Sequence, residues 1–233
     1  KMLATGDERF KEKMDLDIQV SKLKVLKQSY LSEHYDLEDR ILKHFPQTIA
    51  EYEQRIVCYQ ADTALTEQHK PQGEEKFCPM TLRGISYTEK AAAGEMLLAI
   101  CKEYPLSAPI EIGSYRGFKM EIFYDTVGTH YCLNLCGQAK YKVELGSDPL
   151  GNLTRIENEL AKLPARLEAA QIKLAETIEQ LETAKVEVQK PFTFEEELKE
   201  KSERLNALNI ELNLDKKDPA VLDAEPEQAE EQP

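Results

Sequence analysis

The 233-residue sequence lacks any run of about 18 apolar residues, which is close to the minimum a helix needs to cross a bilayer. A charged start that leads into an apolar secretion segment is also missing. The mean hydropathy is −0.54 and 31% of the residues are charged, which is a high charge content for a compact chain. These features exclude an integral membrane protein and predict an elongated, soluble protein of the cytoplasm.

Paired cysteines are absent as well. The sequence has no CxxC pair, and its cysteines form an odd set: Cys58, Cys78, Cys101, Cys132 and Cys136. An odd, unpaired set is typical of a reducing compartment, so we expect free thiols. Cys132 and Cys136 lie four residues apart in a predicted strand and so share a face, where packing as small apolar side chains is favoured over a site.

Motifs that carry chemistry are absent too. The sequence contains neither a GxxxxGK[ST] loop nor a GxGxxG turn, the two common phosphate-binding patterns. The histidines lie on separate predicted elements without metal-ligand spacing: His34, His44, His69 and His130. No nucleophile is placed beside a base. The sequence therefore predicts no metal, no cofactor and no catalytic residue.

A long apolar stripe is the strongest positive signal. Apolar and small residues recur at alternating steps of three and four, which is the spacing of a coiled-coil seam. We call these positions the seam: Leu153, Ile156, Leu160, Leu163, Leu167, Ala170, Leu174, Thr177, Leu181, Ala184 and Val188. Asp148-Pro149 introduces this helix, and Pro164 should bend or open it. A narrow stripe of this kind faces one partner line, so the sequence predicts a paired helix.

Other helices flank a region of different periodicity. Residues 7–45 contain neither Gly nor Pro and predict a long helix, after which Pro46 marks a kink or a second helix over 47–69. Thr193 and Glu196 form a capping-box pattern before a last helix with Leu198, Leu205, Leu208 and Leu212. Two helical segments before the middle region and two after it can pair antiparallel.

The middle region predicts a small antiparallel sheet with one helix. Its strands favour β-branched and aromatic residues in polar alternation, over 77–86, 110–114, 117–124, 130–136 and 139–145. Residues 91–104 predict a helix that ends before Pro105. The fold class is therefore α+β, with antiparallel coiled-coil arms and an inserted head module.

The predicted domains follow from this organisation. They are N-terminal coiled-coil helices at 1–70, the head module at 77–147, C-terminal coiled-coil helices at 148–214 and an acidic disordered tail at 215–233. Of the net charge of −13, residues 195–233 carry −8, because thirteen acids oppose five bases there. Few large apolar groups follow Ala220, so the end of the chain cannot offset the entropy of ordering.

One turn of the head module is the best candidate contact surface for nucleic acid or a protein partner. Aromatic and basic residues alternate at Tyr115, Arg116, Phe118 and Lys119, a mixture that can stack on bases and touch phosphates. Further bases extend the candidate face: Arg83, Lys140 and Lys142. The alternative interpretation is a tight hairpin with Phe118 in the core and Arg116 solvated. Acids nearby make the strands almost neutral, so attraction for DNA would be modest.

Several segments resemble a known family. The opening 3–7 with 11–17 and 20–27, together with IGSYRGF at 112–118, ELGSD at 144–148 and GNLTRIEN at 151–158, carry the resemblance, as do KPF at 190–192 and LNALN at 205–209. This pattern is similar to the region after the second ATPase lobe of very large Swi/Snf-like helicases. Those proteins are often fused to an adenine-DNA methylase region and are found on conjugative and other mobile elements of Firmicutes.

The resemblance implies an accessory C-terminal region without catalytic residues of its own, because the family's ATP-binding and methylase motifs lie upstream. Its expected partners are the helicase core of the same polypeptide, DNA, or a protein or second copy bound through the coiled coil. The leading hypothesis is a non-catalytic domain that aids DNA or partner engagement by the ATPase. The alternative is a structural, partner-binding coiled-coil module without nucleic-acid contact.

Overall fold

The computed structural model describes residues 8–71, 77–104 and 107–217, with the backbone alone for 214–217. The chain divides into two compact units. Unit 1 consists of Lys1–Leu42 and Thr183–Pro233, and unit 2 is Lys43–Glu182. The fold is a mixture of helices and one antiparallel sheet, so the α+β class is confirmed. Most of the predicted tail lies outside the described residues, as do residues 72–76 between the predicted N-terminal helices and the head module.

Unit 1 is built on two antiparallel helices, α1 (Glu8–Asp39) and α6 (Glu195–Lys217). Val20 and Leu23 of α1 are buried against Leu198 of α6. Two ion pairs fix the direction of pairing, because Lys27 Nζ lies 2.7 Å from Glu195 and Arg204 Nε lies 2.8 Å from Glu12. Glu12, the earlier residue of α1, thus pairs with Arg204, and the later Lys27 pairs with the first residue of α6.

Proline does not end helical structure at position 46. A π-helical turn (Arg40–His44) comes before α2 (Phe45–Gln68), and Pro46 stands in the first turn of α2. A first-turn proline is tolerated there because the N–H that it lacks would have no partner inside that helix. The prediction of a kink or a second helix at Pro46 is therefore met by the π-helical turn and the helix α2 that follows it.

Unit 2 contains a six-stranded sheet in the order β2-β1-β3-β4-β5-β6, in which every neighbouring pair is antiparallel. Its strands are β1 (Met80–Leu82), β2 (Ile85–Tyr87), β3 (Ile110–Tyr115), β4 (Phe118–Asp125), β5 (His130–Cys136) and β6 (Lys140–Glu144). The helix α3 (Lys90–Glu103) connects β2 to β3. The predicted single strand over 77–86 is instead a hairpin, because Arg83 and Gly84 adopt positive φ and reverse the chain.

One face of the sheet packs on helices α3 and α4 (Pro149–Ala161), and α5 (Leu163–Glu187) follows after a break at Lys162. The break falls two residues before Pro164, where the sequence analysis expects the seam helix to open. The first four seam residues do not form a separate two-helix line. They enter the core shared by α3 and the sheet: Leu153, Ile156, Leu160 and Leu163.

Helix α2 packs against two turns of the sheet. A Cβ at Gly117, in the β3–β4 turn, would lie 2.6 Å from Leu65, and one at Gly137, in the β5–β6 turn, would lie 2.3 Å from Asp62. Gly117 also has a φ of +83°, which side-chain-bearing residues seldom adopt. Glycine at both turns therefore permits the close approach of α2. Among the described helices, none has the length and apolar character needed to span a membrane.

Candidate functional site

Two residues of the predicted contact turn lie in the core. Tyr115 and Phe118 are paired across the β3–β4 hairpin and are 1% and 0% exposed. Neither ring is exposed enough to stack on a base, which corrects the prediction that Tyr115 and Phe118 belong to the contact surface. For Phe118, the alternative interpretation as a core residue is the one that the structure supports.

Arg116 acts inside unit 2 instead of facing solvent. Its guanidinium lies 2.9 Å from Glu157 Oε2 in α4, and it donates to the carbonyl oxygens of Thr66 and His69 at 2.7 and 3.0 Å. The side chain is only 10% exposed. Glu157 also accepts a hydrogen bond from the Tyr115 hydroxyl. Arg116 thus satisfies carbonyls at the end of α2 and joins that end to α4, which leaves little of its charge for a phosphate.

Arg83 lies in the β1–β2 turn, where it pairs with Glu103 and stacks over the ring of Tyr104. The six-strand order separates this turn from β4 and β6. The structure therefore does not bring Arg83 together with the predicted lysines. Its charge belongs to a local contact between that turn and the end of α3.

The three lysines do come together. Lys119 lies on β4 and Lys140 on β6, and both are register partners of Cys136 in β5, which separates them. Lys142 faces the same way as Lys140 because side chains two apart in a strand share a face. We call this surface of β4 to β6 the open face: Lys119, Glu121, Phe123, Asp125, His130, Cys132, Asn134, Cys136, Lys140, Lys142 and Glu144.

Each lysine of the open face has a carboxylate partner. Lys140 Nζ lies 3.0 Å from Glu121, Lys142 Nζ lies 2.9 Å from Asp125, and Lys119 Nζ lies 3.5 Å from Glu111 of β3. The hydrogen bond from Lys142, with two backbone N–H groups, lowers the pKa of Asp125 to about 2. The hydrogen bond from Lys140 lowers the pKa of Glu121. These carboxylates stay charged at neutral pH.

The electrostatic balance of this surface is close to neutral. Its three lysines face four carboxylates: Glu111, Glu121, Asp125 and Glu144. Lysines attract the phosphates of DNA, but the carboxylates paired with these lysines lie on the same surface and repel the phosphates. A surface of alternating charge fits another protein surface of alternating charge better than it fits the single sign of a DNA backbone.

The hairpin end of the open face is the place where the described residues could hold a metal. A carboxylate oxygen of Asp125, a ring nitrogen of His130 and the sulfur of Cys132 lie within 4.8 Å of one another. Spacing along the sequence did not reveal this group, because the register of β4 with β5 brings Asp125 opposite His130. The signal that could have found it is the alternation of His130 and Cys132 on one strand after a turn that begins at an aspartate.

Asp62 is a further residue that sequence reasoning missed. It is 1% exposed and accepts hydrogen bonds from Gln138 N at 2.7 Å, Ala139 N at 2.9 Å and the Tyr141 hydroxyl at 2.6 Å. Its position three residues after Tyr59, on the apolar side of α2, was the available signal. This carboxylate positions the β5–β6 turn, and with it the lysines of β6.

Comparison with protein-family models, curated proteins and solved structures finds no match to this chain.

Proposed function

We propose that this chain is a non-catalytic accessory region of a cytoplasmic, helicase-like DNA-processing protein of a mobile element. Its open face engages a protein surface, and that surface belongs to the ATPase core that the family resemblance assigns to the same polypeptide. The pair of α1 and α6 serves as an antiparallel coiled-coil arm of this region. The observation that carries the proposal is the open face itself, with paired charges of both signs on one side of the sheet.

The exposed fractions of the charged side chains support this role. Lys119 and Lys140 are 69% and 64% exposed, and Glu144 is 72% exposed. Exposed ion pairs contribute about 0–1 kcal/mol each, so a partner can exchange them for its own charges at small cost. Charge patterns of this kind select partners and set association rates more than they add affinity.

Direct DNA binding is the competing function, and the charge balance disfavours it. A protein that neutralises several phosphates shows a steep loss of affinity with salt, because counterions are released. Together with Glu111 of the neighbouring strand β3, the open face has three lysines and four carboxylates, so we expect no measurable DNA binding at about 50 mM salt. Tight DNA binding, with a salt dependence of the affinity that becomes less steep in Lys119→Glu, would establish the DNA role instead.

The test is a binding titration between this chain and the separately expressed ATPase core of the same polypeptide. The triple variant Lys119→Glu, Lys140→Glu and Lys142→Glu should weaken binding at least tenfold, mainly through a slower association rate. The matched control makes the same charge change at exposed lysines of unit 1: Lys22→Glu, Lys24→Glu and Lys199→Glu. Equal losses in both triples, or a loss only in the control, would remove the open face as the docking surface.

A further inference from the structure

His130 is held in the form that binds metals. Its Nδ1 lies 2.7 Å from the carbonyl oxygen of Gly128, and because a carbonyl can only accept, Nδ1 carries the proton. The other nitrogen, Nε2, is buried and makes no hydrogen bond. Metal-ligating histidines show this arrangement, in which one ring nitrogen donates to a carbonyl and the other offers its lone pair to the ion.

Asp125 is held in a matching way. One of its oxygens accepts hydrogen bonds from the N–H groups of Val127 and Gly128, both at 3.1 Å, which fixes the carboxylate plane. The other oxygen faces the ammonium group of Lys142 at 2.9 Å. The ammonium group of Lys142 therefore already occupies the position that a metal cation would take at this oxygen. Lys142 is 46% exposed, so it can withdraw into solvent when a stronger cation arrives.

Cys132 completes a donor set of oxygen, nitrogen and sulfur. It lies two residues after His130 on the same face of β5 and is fully buried. Bonds of about 2.0 to 2.3 Å in a tetrahedral zinc site place donor atoms about 3.3 to 3.8 Å apart. The donors here lie within 4.8 Å of one another, so side-chain rotation of at most about 1.5 Å closes the site. One carboxylate and one thiolate balance the charge of a divalent ion.

A fourth ligand position is also available. Glu144 is the register partner of Cys132, and its Oε1 lies 3.7 Å from His130 Nε2. His130 and Glu144 also line a polar cleft of about 570 Å³ beside β6 and α4, which provides access for water and ions. Either the Glu144 carboxylate or a water molecule can therefore complete the coordination.

We propose that Asp125, His130 and Cys132 form a binding site for a divalent transition-metal ion of the zinc type. Mixed sulfur, nitrogen and oxygen donors favour zinc over magnesium or calcium, which prefer oxygen alone. The site does not depend on the proposed function, because its three ligands all come from this chain and metal binding needs no partner protein.

Cobalt(II) titration of the full, tag-free chain under reducing conditions tests the site. Cobalt replaces zinc in tetrahedral sites and reports a thiolate ligand by a sulfur-to-metal absorption band. We expect one cobalt per chain, with the band lost in Cys132→Ser and kept in Cys136→Ser. Cys136 is the matched control because it lies on the same strand and the same face but outside the cluster. Asp125→Asn keeps the shape of the side chain and removes its charge, so it should weaken binding about tenfold or more.

Lys142 gives a second, opposite expectation. Lys142→Met removes the ammonium that competes for Asp125, so cobalt should bind several-fold more tightly. Circular dichroism of each variant checks that the sheet is intact. A chain that binds no cobalt, a band that survives in Cys132→Ser, or a band that Cys136→Ser abolishes would each overturn the proposal.

Discussion

Unit 2 and unit 1 bury their apolar side chains in different ways. In the described residues, the connected core of unit 2 contains 22 buried side chains from sheet and helices, whereas the buried cluster of unit 1 contains three. Helix α1 also exposes Met14, Ile18 and Val25, which lie on the side opposite Val20 and Leu23 at 100° per residue. Similar helical periodicity thus supports a layered core in one unit and a thin contact line in the other.

The two units should therefore differ in how much free energy of unfolding is lost when a buried side chain is shortened. A core with contacts on several sides loses a large free energy when one side chain is shortened, because neighbours cannot collapse into the cavity. A two-helix contact has solvent close by and relaxes more easily. Changes in unit 2 should therefore be costly, and equivalent changes in unit 1 should be mild.

The largest effect is expected at Asp62. Asp62→Ala leaves the N–H groups of Gln138 and Ala139 and the buried Tyr141 hydroxyl without their charged acceptor, so the free energy of unfolding should fall by about 4 kcal/mol. Urea denaturation measures this loss. Glu53→Ala, at an exposed acid of the same helix, is the control and should cost less than about 0.5 kcal/mol. Similar midpoints for both variants would contradict the role assigned to Asp62.

The next effect compares a seam residue of α4 with an exposed isoleucine of α5. Ile156→Ala should reduce the free energy of unfolding by about 3 kcal/mol, because Ile156 is fully buried in the core of unit 2. Ile178→Ala in α5 changes the same atoms at a position that is 43% exposed, and it should cost under about 1 kcal/mol. Thermal and urea unfolding compare the pair. Equal losses would show that α4 does not share the core of the sheet.

A smaller effect is expected in unit 1. Val20→Ala removes two methyl groups from the contact of α1 with α6 and should cost about 1.5 kcal/mol. Hydrogen exchange of the α1 and α6 amides measures this loss directly, while the amides of β4 and β5 serve as an internal reference. Val25→Ala is the matched control, because Val25 is 66% exposed. Faster exchange in Val25→Ala than in Val20→Ala would reverse the assignment of the two faces.

The smallest effect at neutral pH is expected at Tyr115. Tyr115→Phe removes the hydrogen bond to Glu157 and should cost about 1 kcal/mol. Burial, and secondarily the neighbouring carboxylate, raises the pKa of Tyr115 in the folded chain. Burial raises the pKa of Tyr141 as well, with Asp62 as the second cause.

The sign of the alkaline response follows from these directions. A tyrosine in the unfolded chain ionises near pH 10, while the folded chain keeps both phenols neutral, so stability is full below about pH 10 and falls as the pH rises above it. Urea midpoints from pH 8 to 11 should show this fall. Tyr115→Phe should show a shallower fall, and an unchanged slope would contradict the pKa direction.

Much of the fold was accessible from the sequence. Strand alternation predicted β3 to β6 and the pairing of neighbours, and the helix before Pro105 was predicted within one residue of its start and end. The hairpin of β1 and β2 was missed because Arg83 adopts positive φ, which the residue type does not indicate. Free thiols were expected, and the five cysteines are free in the structure.

The candidate site was less accessible. Tyr115, Arg116 and Phe118 were predicted to share a contact surface with Lys119 because these residues are neighbours along the chain. The structure separates them, because the hairpin pairs Tyr115 with Phe118 and directs both into the core. The cluster of Asp125, His130 and Cys132 was missed for the opposite reason, since residues on two strands meet only through register.

Periodicity by itself determined which residues of this protein are apolar on one side of a helix or strand, and so the α+β class. It did not determine what those sides face. The seam shows the distinction, because Leu153 to Leu163 pack under a sheet although their spacing equally suits a paired helix. Local spacing depends on backbone geometry within a few residues, whereas the partner of each face, the burial of Asp62 and the meeting of ligands depend on contacts between distant segments.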